Sequence, residues 1–301
     1  MSTYCPCPHR SVTRHLPLTP RTPLDARSCD GQLGPPDPSD RPDGRLKVRG
    51  LVRLTPTALV QLAAACYALR QAGRQPVLRV DEAAVRCYLW RCGFVQVVHP
   101  VTTLEPPLVL APGAQQEPQT SPLLLNVTRL ATSADLPALL DRMLEILRQR
   151  LHYRPDDAYD VATAVSELCQ NTFDHNAHAG AFVAMQVAGS ADPCWLEIAI
   201  ADDGAGLAAT LRRNPHQAPL ASDLEAIQLA VRRGTSAYDD PTRGTGLYHL
   251  LALIAQQAGV VQIRSGTATV RYQREQPQAW ASAVPWQPGV HVTLTLPRPG
   301  G

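Results

Sequence analysis

Fifteen residues, SELCQNTFDHNAHAG from Ser166 to Gly180, gather a glutamate, two asparagines, an aspartate and two histidines between apolar runs. Such a set could hold a metal through imidazole and carboxylate, move protons as an acid/base pair, or serve a magnesium nucleotide. Glu167, Asn171, His175 and His178 follow one another at steps of four, four and three, so a helix would line them along one face. Val161, Val165 and Leu168 form the adjacent core stripe, which sets the polar row at the wall of a pocket. A solvated face is the plainer reading, but this chain's polar helix positions favour Arg, Gln and Glu, and a mid-helix Asn lowers helix propensity. A zinc hydrolase would want several ligands and one open position, and the usual HxxxH step is four where His175 and His178 are three apart.

Two later stretches carry further chemistry. In EIAIADDGAGL an apolar run ends at Asp202 and continues as Asp203-Gly204-Ala205-Gly206, where the glycines admit a ligand close to the backbone. In RRGTSAYDDPTRGTGLYHLLALIAQQAG, Arg243-Gly244-Thr245-Gly246-Leu247 opens an apolar helix, whose first N–H groups could meet an anion such as phosphate. Each of these alone also suits an ordinary turn or capped helix.

Positioning such groups requires a folded unit around them. Leu136, Leu139, Leu140, Met143, Leu147 and Leu151 predict an amphipathic helix, and a second, longer helix begins at Pro155 with Asp156 and Asp157 in its first turn. AFVAMQVAG and CWLEIAIAD read as strands, followed by a loop-rich segment, a helix and two final strands. Further upstream, LKVRGLVRL, TPTALVQLAAACYALRQAG, QPVLRV and DEAAVRCYLWRCGF alternate as strand, helix, strand, helix, with Thr55 a cap and Gly73 and Gly93 as stops. Residues 1–44, rich in Pro and Arg, are expected to be a disordered leader, and 111–122 a linker.

The three site segments, in this order, resemble the nucleotide-binding domain shared by histidine kinases, gyrase B, Hsp90, MutL and anti-sigma-factor serine kinases. Glu167-x-x-x-Asn171 matches that family's N box, with Asp174 and His175 extending it. Asp202-x-Gly204-x-Gly206 matches the first glycine box and Gly244-Thr245-Gly246-Leu247 the second, in which Tyr248 stands where another glycine is common. Gly289 and the strand after it match the terminal element. YLWRCGF, residues 88–94, resembles the end of a helix in STAS-type regulatory modules. The fold these resemblances imply is α/β. A C-terminal Bergerat-type α/β sandwich, a mixed sheet covered on one face by helices, spans 123–299, and a smaller STAS-like α/β domain spans 45–110.

The resemblance also implies roles. Asn171 would ligate Mg²⁺, Glu167 would be the catalytic base, and Asp202 would accept the adenine amino group. Gly204 and Gly206 would clear space for the base, while Gly244, Thr245, Gly246 and Leu247, with Arg243 and His175, would lie along the phosphates. Residues 207–243 would form a lid. No dimerising helix pair with an acceptor histidine is read before residue 123, nor a further catalytic domain before Gly301. The function expected is therefore an ATP–Mg²⁺-binding regulatory protein of the anti-sigma type, a serine/threonine kinase or switch acting on a protein partner with a STAS or sigma-factor-like character. An ATP-gated interaction module without catalysis is the alternative. Homodimers suit the family, though no segment points to one.

Composition agrees with that class. The 301 residues carry a net charge of only +2, so no global field favours nucleic acid. Lys47 is the sole lysine, which disfavours a P-loop or Schiff-base enzyme. No apolar run approaches the roughly 18 residues of a membrane helix, and no signal peptide is read. The eight cysteines form no CxxC pair; Cys66 and Cys169 fall in apolar helical patterns as reduced, buried thiols. A cytoplasmic location is expected.

Overall fold

A computed structural model describes residues 45–48, 54–107, 123–175, 179–188, 194–214, 219–232, 246–274 and 276–298. The leader 1–44, the linker 111–122, His178 and the run Arg243, Gly244, Thr245 lie outside the described residues.

The N-terminal elements are β1 (Arg45–Val48), α1 (Pro56–Gln71), β2 (Val77–Val80), α2 (Ala83–Arg91), α3 (Phe94–Val98) and β3 (Thr103–Glu105). The strands form a parallel sheet in the order β1-β2-β3. Local chemistry sets their ends. The Thr55 hydroxyl accepts from Ala58 N at 3.3 Å and Pro56 opens α1, while Gly73 at φ +75° and Gly93 at φ +79° stop α1 and divide α2 from α3.

Downstream come β4 (Leu125–Leu130), α4 (Leu136–Glu145, ending in a wider turn over Ile146–Arg150), α5 (Pro155–His175), β5 (Ala181–Ala188) and β6 (Trp195–Asp202). After them follow α6 (Leu207–Leu211), α7 (Asp223–Ala230), α8 (Gly246–Gln256), β7 (Val260–Gln273) and β8 (Gln276–Pro297). The five strands make a sheet in the order β4-β5-β6-β8-β7. Its described pairings are all antiparallel, so the mixed sheet expected is corrected. The strand β8 turns back from the edge strand β7 and inserts beside β6, and antiparallel hairpin return needs no crossover.

The expectation of one covered face is corrected as well. On one face Val183, Met185, Ile198 and Ile200 pack with α4, α5 and α8. On the other, Phe182, Ala184, Ala199 and Ala201 join Leu59, Ala63 and Cys66 of α1 in a second core. Both faces of β5 and β6 are therefore apolar, and each fully buried leucine such as Leu59 contributes about 1.5–3 kcal/mol. A small polar cluster interrupts the α1 face. Glu197 is buried and accepts from the Thr57 hydroxyl at 2.8 Å and from Gln186 Nε2 at 3.2 Å, and Thr57 Oγ1 also meets Thr293 Oγ1 at 2.8 Å. A carboxylate taken from water in this way needs such partners.

Among the described residues no helix is long and apolar enough to cross a membrane.

Candidate functional site

The helix α5 starts at Pro155, as its sequence predicts, with Asp156 and Asp157 in the first turn. Val161, Val165, Cys169 and Thr172 are buried, leaving Glu167 and Asn171 half-buried on the flank, one turn apart. Glu167 Oε1 meets His249 Nδ1 of α8 at 3.2 Å. A carboxylate can only accept, so the imidazole donates. The other oxygen, Oε2, is buried and has no hydrogen-bond partner among the described residues. The Asn171 amide likewise forms no side-chain hydrogen bond to another described residue.

Asp202 ends β6. The alternation of the strand turns Ile198, Ile200 and Asp202 toward the α5 layer, and Glu197, Ala199, Ala201 and then Asp203 toward α1. Asp202 is 6% exposed; burial pushes the neighbouring Cys169 thiol upward, and the Asp202 charge adds to that rise. Its Oδ1 accepts from Gly204 N at 2.8 Å and its Oδ2 from Val290 N at 3.2 Å. Burial raises the Asp202 pKa to about 7; the two N–H groups pull it down, and the Asp203 charge adds to the rise.

The glycines around Asp202 have specific causes. Gly289 sits at φ +78°, and a Cβ there would stand 1.9 Å from the Asp202 carbonyl oxygen. Gly206, at φ +83°, caps α6, and a Cβ would come 2.9 Å from Ser265 Oγ. That hydroxyl accepts from Leu207 N at 2.9 Å and donates to the Gly289 carbonyl at 3.2 Å, pinning the glycine loop to β7 and β8. Ser265 is a residue the sequence reading missed; nothing local in IRSGTATV marks it.

Gly246 is the first residue of α8, Leu247 is buried in the core, and Tyr248 is exposed. His249, absent from the predicted set, follows one turn after Gly246. The segment 207–243, expected as a lid, is corrected over its described part. Ala226 and Ile227 of α7 are fully buried, and Asp223 accepts from Thr267 N and Oγ1 of β7, both at 2.8 Å. The apolar face of α7 belongs to the core; only 215–218 and 233–245 fall outside the described residues.

His175 and Gly204 are placed differently from Glu167 and Asn171. They line a cavity of about 830 Å³ with Asp174, Asp203 and Arg213, walled by α1 on one side. Arg213 donates to the His175 carbonyl at the end of α5. Gln170 Nε2 donates to Asp174 Oδ1 at 2.9 Å. Asp203 accepts from Gly180 N at 2.7 Å and from Gln71 Nε2 of α1 at 2.9 Å. Burial holds the Asp203 carboxyl above its ordinary range, offset by the Gly180 N–H and the Arg129 charge. None of Glu167, Asn171, Asp202 or Leu247 lines this cavity.

The donor set on the α5 side suits a hard cation. Asn171 offers an unengaged amide oxygen, and a cation carried by phosphate needs few protein ligands. Among the described residues no three His, Cys, Asp or Glu side chains gather as a metal cluster; His178 lies outside them.

No curated protein matches the chain. Residues 130–273, which include Glu167, Asn171 and Asp202, match the model of the family described as histidine kinase-like ATPase domain.

Proposed function

We propose that this protein is a regulatory switch that binds ATP–Mg²⁺ and transfers the γ-phosphoryl group to a serine or threonine of a protein partner. The observation that carries the reading is the convergence, on one face of one sheet, of Glu167 and Asn171, the buried Asp202 and the opening of α8 at Gly246. Asp202, held by two backbone N–H groups, accepts the adenine amino group; Gly204 and Gly206 leave room beside it. Asn171 would hold the magnesium, which would neutralise phosphate charge. Gly246, with Arg243, Gly244 and Thr245 before it and Leu247 anchoring it, faces the phosphates. Glu167 takes the proton of the attacking hydroxyl. His175, by its cavity, is the weakest of the assigned phosphate contacts.

The N-terminal unit, residues 45–110, is read as a STAS-like module and 123–299 as the ATPase, joined by 111–122 and preceded by the leader 1–44. The strand–helix alternation and parallel pairing support a small α/β module there. Thr55 caps α1 and Thr57 is bonded to Glu197 and Thr293, so neither hydroxyl is presented to a kinase. The partner is a separate STAS or sigma-factor-like protein, in the cytoplasm.

Incubation of the full chain with γ-labelled ATP, Mg²⁺ and candidate STAS partners tests the reading. Label on a partner serine or threonine, lost with Glu167→Ala, is the expected result. ATP binding without transfer or hydrolysis, unchanged by that substitution, would leave the ATP-gated interaction module as the function instead.

A further inference from the structure

Glu167 and His249 are 82 residues apart in the chain, yet their side chains meet between α5 and α8 at 3.2 Å. This contact joins two helices of one layer, and neither local capping nor helix packing requires it, because Val165, Leu168, Leu250 and Leu253 already join the two helices in one apolar core. The two carboxylate oxygens are treated unequally. Oε1 is engaged by the imidazole, while Oε2 is buried and unpaired among the described residues. Leaving a buried carboxylate oxygen without a donor is costly, which fits an atom kept for a proton.

We propose that His249 is a positioning residue for the base Glu167, and that it makes base placement depend on phosphate binding; this rests on the phosphoryl-transfer reading above. His249 donates Nδ1–H to Oε1, fixing the carboxylate plane and leaving Oε2 as the atom that receives the proton. In the step it serves, the partner hydroxyl oxygen bonds to the γ-phosphorus. The bond from that phosphorus to the β,γ-bridging oxygen breaks, ADP leaves with the electron pair, and the hydroxyl proton passes to Glu167 Oε2. The imidazole proton stays on Nδ1 throughout. His249 lies three residues after Gly246, on the first turns of the helix whose N terminus would meet the phosphates. Movement of α8 on engaging phosphate therefore carries His249, and with it the carboxylate. A base on α5 alone would be blind to whether the triphosphate is seated.

The test combines kinetics and spectroscopy on the full chain. In the nucleotide-free protein, ¹⁵N imidazole shifts should show His249 carrying its proton on Nδ1, with a shift on Glu167→Gln; a proton on Nε2 with Nδ1 bare would overturn the contact. With ATP, Mg²⁺ and partner, His249→Ala should lower kcat about tenfold to a hundredfold with ATP affinity changed less than about threefold. His249→Asn, which keeps a donor near the Nδ1 position, should recover most of that loss. In a Glu167→Gln background, His249→Ala should add nothing. Turnover indifferent to His249→Ala, or Asn no better than Ala, sinks the positioning role while leaving phosphoryl transfer standing. Absence of any turnover in the unmodified protein removes the kinase reading and this inference together.

Discussion

Asp202 and Asp203 are neighbours in sequence and face opposite layers of one sheet. Asp202 points into the α5 layer, where burial and two backbone N–H groups hold it. Asp203 points toward α1, bonded to Gly180 and Gln71 and within the field of Arg129. Burial raises both carboxyls, but their partners differ in kind. The first is supported by the glycine loop and β8, leaving lone pairs for a ligand. The second joins the two cores across a chain separation of 132 residues. The difference teaches that one β-strand end can serve recognition on one face and assembly on the other, with a single residue step as the switch between them.

Five substitutions would break or sharpen that contrast. Gly289→Ala is expected to have the largest effect, because the new Cβ meets the Asp202 carbonyl at 1.9 Å at a backbone φ of +78°. A loss of about 3–5 kcal/mol or failure to fold should follow, read by chemical unfolding. A normal unfolding midpoint would show that β8 does not press on Asp202 as described.

Asp202→Asn should weaken ATP binding about tenfold to a hundredfold in calorimetry, whereas Asp203→Asn should leave affinity within about threefold. The same pair has a pH signature. A carboxyl raised to about 7 in the folded state binds a proton more tightly there than in the unfolded chain. Its contribution is fully present below about pH 4 and is lost as pH rises through about 7, a change of a few kcal/mol. Wild type should therefore lose stability relative to Asp202→Asn across that window. The comparison with the variant matters because buried His291, depressed to about 4 mainly by burial, has the opposite slope, its contribution present above about pH 6.5 and lost as pH falls through 4. A pH-independent difference between the two proteins would mean Asp202 is not desolvated.

Thr57→Val acts only on the α1 face. It removes the hydroxyl donor to Glu197 and should cost about 1–2 kcal/mol without changing ATP affinity. The smallest effect is expected from Gln71→Ala, below about 1 kcal/mol in unfolding, because Asp203 keeps its bond to Gly180. A several-fold change in ATP affinity in Gln71→Ala would show that the two faces are coupled through the Asp203 loop.

Much of the candidate site could be read from the residues. Glu167 and Asn171 share a helix face because their four-residue spacing is local, and Asp202 is marked by the end of an apolar run. The start of α5 at Pro155 and the stops at Gly73 and Gly93 are also local signals, carried by side-chain and backbone chemistry within a turn. His249 was not legible, since its meaning depends on α8 crossing α5. The second covered face was legible in principle. FVAMQV and LEIAIA are apolar at both parities, the mark of a strand buried on both sides, yet a single helical layer was expected. The lid was overdrawn because Pro, Asp and Arg surround DLEAIQLA, whose own apolar residues fold it against β7. Residues Arg243, Gly244 and Thr245, outside the described set, stay as the sequence presented them.

The position of β8 has a consequence for anyone cutting this chain into pieces. The family match ends at 273, while β8 begins at Gln276 and lies between β6 and β7. A fragment bounded at 130 and 273 would lack that inner strand, the Val290 N–H that holds Asp202, and α1 over Phe182 and Ala199. Two neighbouring strands would be left with open edges, an invitation to pair with other copies. A fragment meant to bind nucleotide should therefore keep Thr55 at one end and Pro297 at the other.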